Sequence, residues 1–428
     1  MRKRTLTIGF LTGAAATALF LLATPTMTLT EAEAANEDVI DVWSTTEPVP
    51  NRRVYYPGTE RLKPDEMRVI ACGTGMPQPR LKQAAACFLV ELGNGDKFIF
   101  DIGAGSFERI TALGIPMDQL DKVFLGHLHL DHAGDFPLFW FTRAINAGRK
   151  PIRLWGPNGV REDWGTKSWV KNLEEAWAWE AASRGSATDP RGSQVDVTEF
   201  DWKGINKVIY DENGVIIRTI PALHLDQSVS FILEWNDLRL AFSSDTFPNK
   251  WWLEHTKGVD LSIHETVLPP ELWVELYSME PVAAVFAGTQ GHTTPAAFGK
   301  VMSITQPRHA VAYHFQNDFD TAPLVEAAIR TTYDGPLDLA TDFMVWNVTK
   351  EGTRTRMAVP NHERYPEPAQ AETMQADTTN AYQWDPLNFE GVEPETAAVI
   401  NEVLDTFNKN YGTDVKPTMS GIPFENEE

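Results

Sequence analysis

A cluster of residue types that bind metals occupies residues 126–134 of the chain. This stretch reads Gly-His-Leu-His-Leu-Asp-His-Ala-Gly. His127 and His129 are two residues apart at the end of a predicted strand, so their side chains point to one face. Asp131 and His132 follow where the chain turns. Three imidazoles and a carboxylate this close together are costly in an apolar core, but they are natural ligands for a transition metal.

Further residues of the same types follow at intervals, each beside a predicted strand. They are His224, Asp245, His264, Glu265, His292 and His314. Taken singly, a histidine is more often a packed or surface group than a ligand. Active-site residues of layered α/β proteins gather at strand ends, however, so the ordered series predicts one shared site.

The segments that must position these residues predict a mixed α/β body. Short apolar runs bounded by turn residues predict strands, and the Gly-Asn-Gly-Asp turn at 93–96 predicts a hairpin. Residues 131–146 and 295–304 show helical spacing. Strands precede and follow helices throughout, which favours two packed mixed β-sheets with outer helices.

The chain divides into several regions. They are a leader at 1–34, an extended segment at 35–66, a folded body at 67–348 and an acidic extension at 349–428 with one helix at 394–407. Within the body, residues 164–202 carry Trp164, Trp169, Trp177, Trp179 and Trp202 among many charges, which predicts a helical insertion. The insertion is either a cover over the site or a packed addition to the body.

The first 34 residues have the pattern of a signal peptide. Arg2, Lys3 and Arg4 precede an uncharged apolar run at 8–23, and an Ala-Glu-Ala cleavage site follows at 32–34. The alternative is an uncleaved membrane anchor. Cleavage would leave a periplasmic or secreted protein without stable membrane association, since no second run is long and apolar enough to span a bilayer.

Charge and cysteine content argue against several classes of protein. The 428 residues include 37 Lys and Arg against 59 Asp and Glu, a net charge of −22 that repels phosphate backbones and predicts no nucleic-acid partner. The two cysteines, Cys72 and Cys87, exclude a disulfide-rich scaffold and a cysteine zinc cluster. They lie in consecutive predicted strands and are either a disulfide or two buried thiols.

The His-Leu-His-Leu-Asp-His sequence resembles the H-x-H-x-D-H signature of metallo-β-lactamase-fold hydrolases. Other segments resemble the branch that contains ribonuclease Z and an arylsulfatase-like group, namely 72–75, 100–103, 155–157, 244–246, 264–266, 291–294 and 313–314. The chain is also similar to a secreted group related to hydrolases of guanitoxin biosynthesis. The resemblance covers about 67–348 and implies an αββα sandwich.

The same resemblance implies a dinuclear metal site. His127, His129 and His224 would bind one divalent ion, Asp131, His132 and His314 the other, and Asp245 would bridge them. Zinc suits this ligand set, although manganese or iron would fit it too. The implied catalytic residues are Asp131, which orients or deprotonates a metal-bound hydroxide, His292 as proton donor, and Glu265, which holds His292. Asp101 is expected behind the ligands rather than among them.

Three functions are consistent with these residues. The favoured one is a secreted, arylsulfatase-like hydrolase of small-molecule esters; the others are a ribonuclease Z-like endonuclease and a metal-binding protein without turnover. Ribonuclease Z projects a basic arm between its third histidine and its bridging aspartate, whereas only 20 residues separate His224 from Asp245 here, and they predict two strands. Ser244 also stands where the branch has glycine. The sequence leaves the ester and the oligomeric state open.

Overall fold

The body of the protein is a sandwich of two β-sheets. A computed structural model describes residues 53–146, 148–184, 188–367, 385–391 and 393–414. One sheet contains β1 (Val54–Tyr55), β2 (Met67–Gly73), β3 (Cys87–Leu92), β4 (Lys97–Phe100), β5 (Lys122–Phe124), β6 (Ile152–Pro157), β7 (Val195–Phe200), β15 (Met344–Val348) and β16 (Thr353–Ala358). The other contains β8 (Lys207–Glu212), β9 (Val215–Pro221), β10 (Val229–Trp235), β11 (Leu238–Phe242), β12 (Leu261–Glu265), β13 (Ala310–Tyr313) and β14 (Leu337–Leu339).

Both sheets are mixed. The strand order is β1-β16-β15-β2-β3-β4-β5-β6-β7 in the first sheet and β14-β13-β12-β11-β10-β9-β8 in the second. Strands β4 to β7 run parallel in the first sheet, and β11 to β14 run parallel in the second. The remaining neighbours are antiparallel, except that β1 is parallel to β16.

Helices and turns connect the strands. The helices are α1 (Ser106–Ala112), α2 (Leu130–Ala133), α3 (Phe136–Asn146), α4 (Thr166–Ala176), α5 (Ala178–Arg184), α6 (Lys250–His255), α7 (Pro270–Tyr277), α8 (Pro281–Phe286), α9 (Pro295–Thr305), α10 (Ala322–Arg330), α11 (Pro386–Glu390) and α12 (Pro394–Tyr411). Short 3₁₀ turns lie at Met117–Gln119 and Glu162–Trp164, and a π-turn at Ala287–Gly291.

Three apolar layers hold the sandwich together. Between the sheets, the ring of Phe88 lies 5.1 Å from that of Tyr313 and 5.4 Å from that of Phe242, so aromatic side chains of both sheets fill the centre. Outside the first sheet, helices α1 and α3 bury residues such as Phe139. Outside the second sheet, α9 and α10 bury residues such as Phe298. The predicted αββα sandwich of two packed mixed sheets is confirmed.

The sheet extends past the predicted boundaries of the body at 67 and 348. Strand β1 pairs with β16 through Val54 and Met357, and β16 pairs with β15. The segment 35–66 is therefore not only an extended lead-in, and 349–428 is not wholly an appendage. Strands β1 and β16 were missed because β1 has only two residues and β16 begins with threonine alternating with arginine, without an apolar run.

The predicted helical insertion at 164–202 is only half helical. Helices α4 and α5 are followed by β7, whose Val-Asp-Val alternation has the two-residue period of a strand and which runs parallel to β6. Trp169 lies 5.4 Å from the ring of Phe136, and Trp177 lies 5.8 Å from that of Phe141. These tryptophans pack the insertion onto the body, which was one of the two alternatives.

The predicted leader at 1–34 lies outside the described residues, so export stays a prediction. Within the part of the chain that the structure describes, no helix has both the length and the apolarity needed to cross a bilayer. Cys72 and Cys87 are free, buried thiols on neighbouring strands, and no disulfide joins them. Burial and the adjacent Cys72 raise the pKa of the Cys87 thiol well above its usual range.

Candidate metal centre

The predicted site residues meet at one edge of the sandwich, where strands of both sheets end. Asp101 follows β4, His127 to His132 follow β5, His224 follows β9, Asp245 follows β11, Glu265 ends β12 and His314 follows β13. His292 lies on the loop that precedes α9. Because parallel strands present their carboxyl ends to the same edge, residues far apart in sequence converge here.

The open set is our name for His127, His129 and His224. Nδ1 of His129 lies 3.1 Å from Nε2 of His127 and 3.4 Å from Nε2 of His224, so three imidazole nitrogens face one point. Oδ2 of Asp245 lies 3.8 Å from Nε2 of His127 and 3.9 Å from Nε2 of His224. Within this set His127 is buried, His224 is half-buried and His129 is exposed.

The buried set is our name for Asp131, His132 and His314. Oδ1 of Asp245 lies 3.2 Å from Nε2 of both His132 and His314. Oδ2 of Asp131 lies 3.2 Å from Nε2 of His314 and 3.5 Å from Nε2 of His132. Four atoms arranged tetrahedrally about 2.0–2.1 Å from a zinc ion would be about 3.3–3.4 Å apart, so these spacings suit a metal.

Unsatisfied polar atoms support the same fit. Nε2 of His132 and Oδ1 of Asp245 are buried and have no hydrogen-bond partner among the described residues. Buried polar groups without partners are costly, and such a group in a native fold points to an absent ion or water. Asp245 also directs its two carboxylate oxygens at different sets. The donor atoms therefore fit two divalent ions that share Asp245.

The two sets differ in charge. Burial and the neighbouring imidazoles lower the pKa of His127 well below its usual range, and burial lowers that of His224 to about 4. Both rings are therefore neutral at pH 7, the form that binds a metal. Burial alone would lower the pKa of His132, but Asp245, Asp131 and Asp101 outweigh it and raise that pKa well above its usual range.

Asp101, Ser244 and Gly126 lie behind the ligands. Asp101 accepts hydrogen bonds from Nδ1 of His132 (2.7 Å), Oγ of Ser244 (2.9 Å) and the amide of Gly126 (2.7 Å). Asp101 therefore fixes the ring of His132 with Nε2 toward Asp245, the position expected of it from the sequence. Oγ of Ser244 also lies 3.3 Å from Nδ1 of His127, so it contacts both sets. A Cβ on Gly126 would lie 2.2 Å from that Oγ, so only glycine fits there.

Three residues of the site have left-handed backbone. Asp101 has φ 56°, Ser244 has φ 48° and His314 has φ 74°. Such conformations cost L-residues about 1–2 kcal/mol each and concentrate at functional sites. The side-chain hydrogen bonds of Ser244 explain why serine is accommodated in a conformation that favours glycine.

His292 and Glu265 form a pair beside the metal ligands. Oε1 of Glu265 accepts hydrogen bonds from Nδ1 of His292 (3.1 Å) and from the amides of Thr246 (3.0 Å) and Thr293 (3.3 Å). Burial opposes protonation, but the carboxylates of Glu265 and Asp245 raise the pKa of His292 to about 9. Glu265 thus contacts His292 through Nδ1, and no hydrogen bond among the described residues engages Nε2 of His292. The catalytic roles of this pair stay a prediction.

One predicted candidate lies outside the site, and one supporting residue was missed. His264 is buried between the rings of Trp252 and Phe298 and bonds the carbonyl of Glu265 through Nδ1, so it is a core residue. Asp342 accepts hydrogen bonds from the amide and hydroxyl of Thr74, and the carbonyl of Thr74 accepts the amide of His314. Asp342 lies 28 residues beyond His314 with no motif around it, so the sequence carried no signal for this role.

Comparison with known proteins adds to this geometry. The family profile described as "Anti-Pycsar protein Apyc1" matches residues 67–272. The chain is 26% identical over 208 residues to ribonuclease Z of Mycolicibacterium gilvum (strain PYR-GCK), covering 47% of this chain and 69% of that protein. It is 29% identical over 187 residues to ribonuclease Z of Mycobacterium sp. (strain KMS), covering 42% of this chain and 62% of that protein.

A solved structure shows the fold. The metallo-β-lactamase-fold protein YhfI from Bacillus subtilis superposes with a TM-score of 0.50 at 15% identity, over 66% of this chain and 99% of that one. The fold is therefore that of the metallo-β-lactamase proteins, and in sequence the chain is similar to ribonucleases Z. The predicted similarity to the secreted, guanitoxin-related group stays a prediction.

These relatives correct the predicted partners. The expectation of a small-molecule ester substrate and no nucleic acid is wrong, because the curated relatives are ribonucleases by name. The arylsulfatase-like assignment is likewise not supported. The prediction used the net charge of the whole chain, but attraction of a phosphate depends on the few charges beside it, including any bound cation.

Proposed function

We propose that this protein is a metal-dependent phosphodiesterase that hydrolyses a phosphodiester bond in RNA. The observation that carries the proposal is the carboxylate of Asp245, which presents one oxygen to the open set and the other to the buried set. Phosphodiester hydrolysis favours two cations because both the attacking and the leaving oxygen must be stabilised. The ribonuclease Z relatives support the same substrate class.

Each set of ligands would hold one divalent ion. The open set of His127, His129 and His224 would bind one, the buried set of Asp131, His132 and His314 the other, and Asp245 would be shared. When bound, the ions would make a water molecule more acidic and neutralise charge on the phosphate. Zinc is the proposed metal, since nitrogen and carboxylate donors at these spacings suit it.

The chain itself would supply the proton transfers. Oδ2 of Asp131 faces His132 and His314, and no hydrogen bond among the described residues engages its Oδ1, which can accept a proton from the attacking water. His292 is held through Nδ1 by Glu265, so Nε2 can donate a proton to the leaving oxygen. Both roles require only side chains that already lie beside the metal ligands.

RNA would have to bind without a projecting arm between His224 and Asp245. The 20 residues between His224 and Asp245 are taken up largely by β10 and β11, which pair antiparallel from Phe231 with Phe242 to Trp235 with Leu238. Both strands belong to the second sheet. We therefore propose that substrate contacts come from other loops around the metal centre.

A substrate panel tests the proposal. The protein, stripped of metal and reloaded with Zn²⁺ or Mn²⁺, is given a structured RNA with a 3′ extension, the same sequence as DNA, bis(p-nitrophenyl) phosphate and an aryl sulfate. We expect metal-dependent cleavage of the RNA and the phosphate diester, loss in Asp245→Ala, and full activity in Trp179→Ala, a variant of an exposed side chain on α5. Hydrolysis of the aryl sulfate alone, or of none of these substrates, would refute it.

Export of the protein is a separate proposal that rests on the leader at 1–34. Cell fractionation followed by N-terminal sequencing tests it. A mature chain that begins just after the Ala-Glu-Ala sequence at 32–34 and is recovered outside the cytoplasm is the expected result, and an uncleaved cytoplasmic protein is the contrary one.

A further inference from the structure

A cleft opens beside the metal centre on the side of the open set. Its volume is about 400 Å³, and His127 and His129 line it. The apolar part of the lining consists of Leu128, Val160, Trp164 and Leu225, which we call the apolar wall. Asp226, Gln227 and Ser228 complete the lining. A pocket with a few polar groups at one end and apolar walls is the usual form of a small-ligand subsite.

The apolar wall is exposed to a degree that core packing does not explain. Trp164 is 51% exposed, Leu225 59% and Val160 45%. Trp169 and Trp177 of the same insertion instead pack their rings on the aromatic side chains of α3. The face of Trp164 meets the guanidinium of Arg161, 4.7 Å from the ring centre. Large exposed apolar surfaces next to polar groups commonly mark binding sites.

The wall is held in position by hydrogen bonds rather than by burial. The side chain of Gln227 accepts from the amide of Val160 (3.2 Å) and donates to the carbonyl of Trp164 (3.0 Å), so one residue clamps both ends of the turn. Gln227 has φ 63°, a left-handed conformation that glutamine rarely adopts. Strained backbone held this way at a cleft indicates a positioned surface and not a loose loop.

The turn is fixed from its other side as well. The hydroxyl of Thr166 donates to the carbonyl of Pro157, and a Cβ on Gly159 would lie 2.6 Å from the amide of Gly165, so the segment folds back on itself closely. Trp164 is therefore presented at the cleft with little freedom. Such preorganisation lowers the entropic cost of binding a flat ligand.

We propose that Trp164 is a nucleobase-stacking residue that determines substrate specificity. It would receive the base of a nucleotide that adjoins the scissile phosphodiester, while the phosphate lies at the metal ligands. The inference rests on the proposed phosphodiesterase function. A base has a planar, apolar face of the kind that an indole binds, and its attached phosphate has the charge that a dinuclear centre attracts. Leu128, Val160 and Leu225 would then cover the edges of the base.

Paired substrates separate base recognition from hydrolysis. Thymidine 3′- and 5′-(p-nitrophenyl phosphate) are each compared with the same ester of a base-free deoxyribose. In Trp164→Ala we expect KM for at least one thymidine ester to rise about 5- to 150-fold, the range for loss of one base–aromatic stack, with the base-free ester unaffected. Trp164→Phe should restore most of the affinity, and Trp179→Ala should match wild type.

Direct binding gives a second measurement that does not depend on turnover. A thymidine phosphonate is titrated calorimetrically into wild type, Trp164→Ala and Gln227→Ala, and each variant's melting temperature is recorded to confirm folding. We expect both variants to bind more weakly than wild type, Gln227→Ala through loss of the clamp.

The outcomes distinguish the two proposals. If wild type hydrolyses neither these esters nor the RNA and bis(p-nitrophenyl) phosphate of the substrate panel, the phosphodiesterase is refuted. The calorimetry then decides the stacking role alone. Equal losses on thymidine and base-free esters in Trp164→Ala, or phosphonate binding that survives in that variant, would overturn the assignment of Trp164.

Discussion

The open set and the buried set differ in the way they are built, although they share Asp245. The buried set consists of Asp131, His132 and His314, each at most 2% exposed. Asp131 and the shared Asp245 direct their carboxylates at one point there. The open set has three imidazoles, and one of them, His129, is exposed. The first arrangement is suited to retain a cation, because nearby anions in a buried site attract it strongly. The second leaves room for substrate to reach the metal.

The hydrogen-bond partners that hold the ligand histidines in place also differ between the two sets. The ring of His132 is fixed by Asp101, a charged acceptor at 2.7 Å. In the open set, the partners among the described residues are neutral: Nδ1 of His224 lies 2.8 Å from the carbonyl of Gly291, and Nδ1 of His127 lies 3.3 Å from the hydroxyl of Ser244. Charged partners strengthen a hydrogen bond about twofold over neutral ones. The comparison therefore predicts that a limiting chelator removes the ion of the open set first.

Asp245→Ala should have the largest effect, because it removes the one residue that both sets share. We expect bound metal to fall below two ions per chain and kcat/KM to fall by more than about 100-fold. Loss of a residue that only hydrogen-bonds to a metal ligand costs up to about 100-fold, and loss of a shared ligand should cost more. Elemental analysis and phosphodiester hydrolysis measure both quantities. A variant that kept two ions and full turnover would show that Asp245 does not bridge.

Substitution of one histidine from each set tests the comparison itself. His132→Ala removes the positive partner of Asp101, Asp131 and Asp245, so in metal-free protein we expect the free energy of unfolding to fall by about 3–5 kcal/mol. His129→Ala alters an exposed side chain and should change it by about 0.5 kcal/mol or less.

Denaturant unfolding in excess chelator measures both values, and elemental analysis follows the metals. We expect His129→Ala to retain one ion per chain. Similar destabilisation by the two substitutions would contradict the difference between the sets.

The sequence predicted one shared site, because ligand types recur in order at strand ends, and its resemblance to metallo-β-lactamase-fold hydrolases implied the division into two sets. It also predicted the sandwich, since apolar runs and turn residues are local signals. It placed Trp164 in an insertion that was a candidate cover over the site, but it did not reveal the role of Gln227, which depends on which loops come together at the cleft. The strand β7 was not predicted, because the charged residues and tryptophans around it favoured a helical interpretation of the whole insertion.

The partner prediction failed for a related physical reason. Net charge sums over the whole chain, whereas a phosphate responds to charges within about 10 Å at ordinary salt. The charge of −22 is therefore compatible with a phosphodiester substrate at a cationic centre.

Asp101→Asn should affect one set only. Aspartate accepts from His132 through Oδ2 and from the amide of Gly126 through Oδ1, whereas asparagine has a single acceptor oxygen. The variant therefore loses the charge and one of these hydrogen bonds, and we expect the metal affinity of the buried set to fall about 10- to 100-fold. Affinity at the open set should be unchanged, since its histidines have no contact with Asp101 in the described structure. Competition titration against a coloured chelator resolves the two ions. Equal weakening of both would mean that Asp101 acts on the whole site.

Ser244 gives the smallest effect and the finest test, because its hydroxyl contacts both sets. Its φ of 48° penalises any L-residue by about 1–2 kcal/mol, and its hydrogen bond to Asp101 contributes about 0.5–1.5 kcal/mol in return. Ser244→Ala loses the bond and keeps the strain, so it should be destabilised by about 1 kcal/mol. Ser244→Gly loses the same bond but relieves the strain, offset by about 0.5–1 kcal/mol of extra chain entropy in the unfolded state. We therefore expect glycine to equal or exceed alanine in the free energy of unfolding, measured by denaturant titration. A glycine variant clearly less stable than the alanine variant would show that the left-handed turn at Ser244 is not strained.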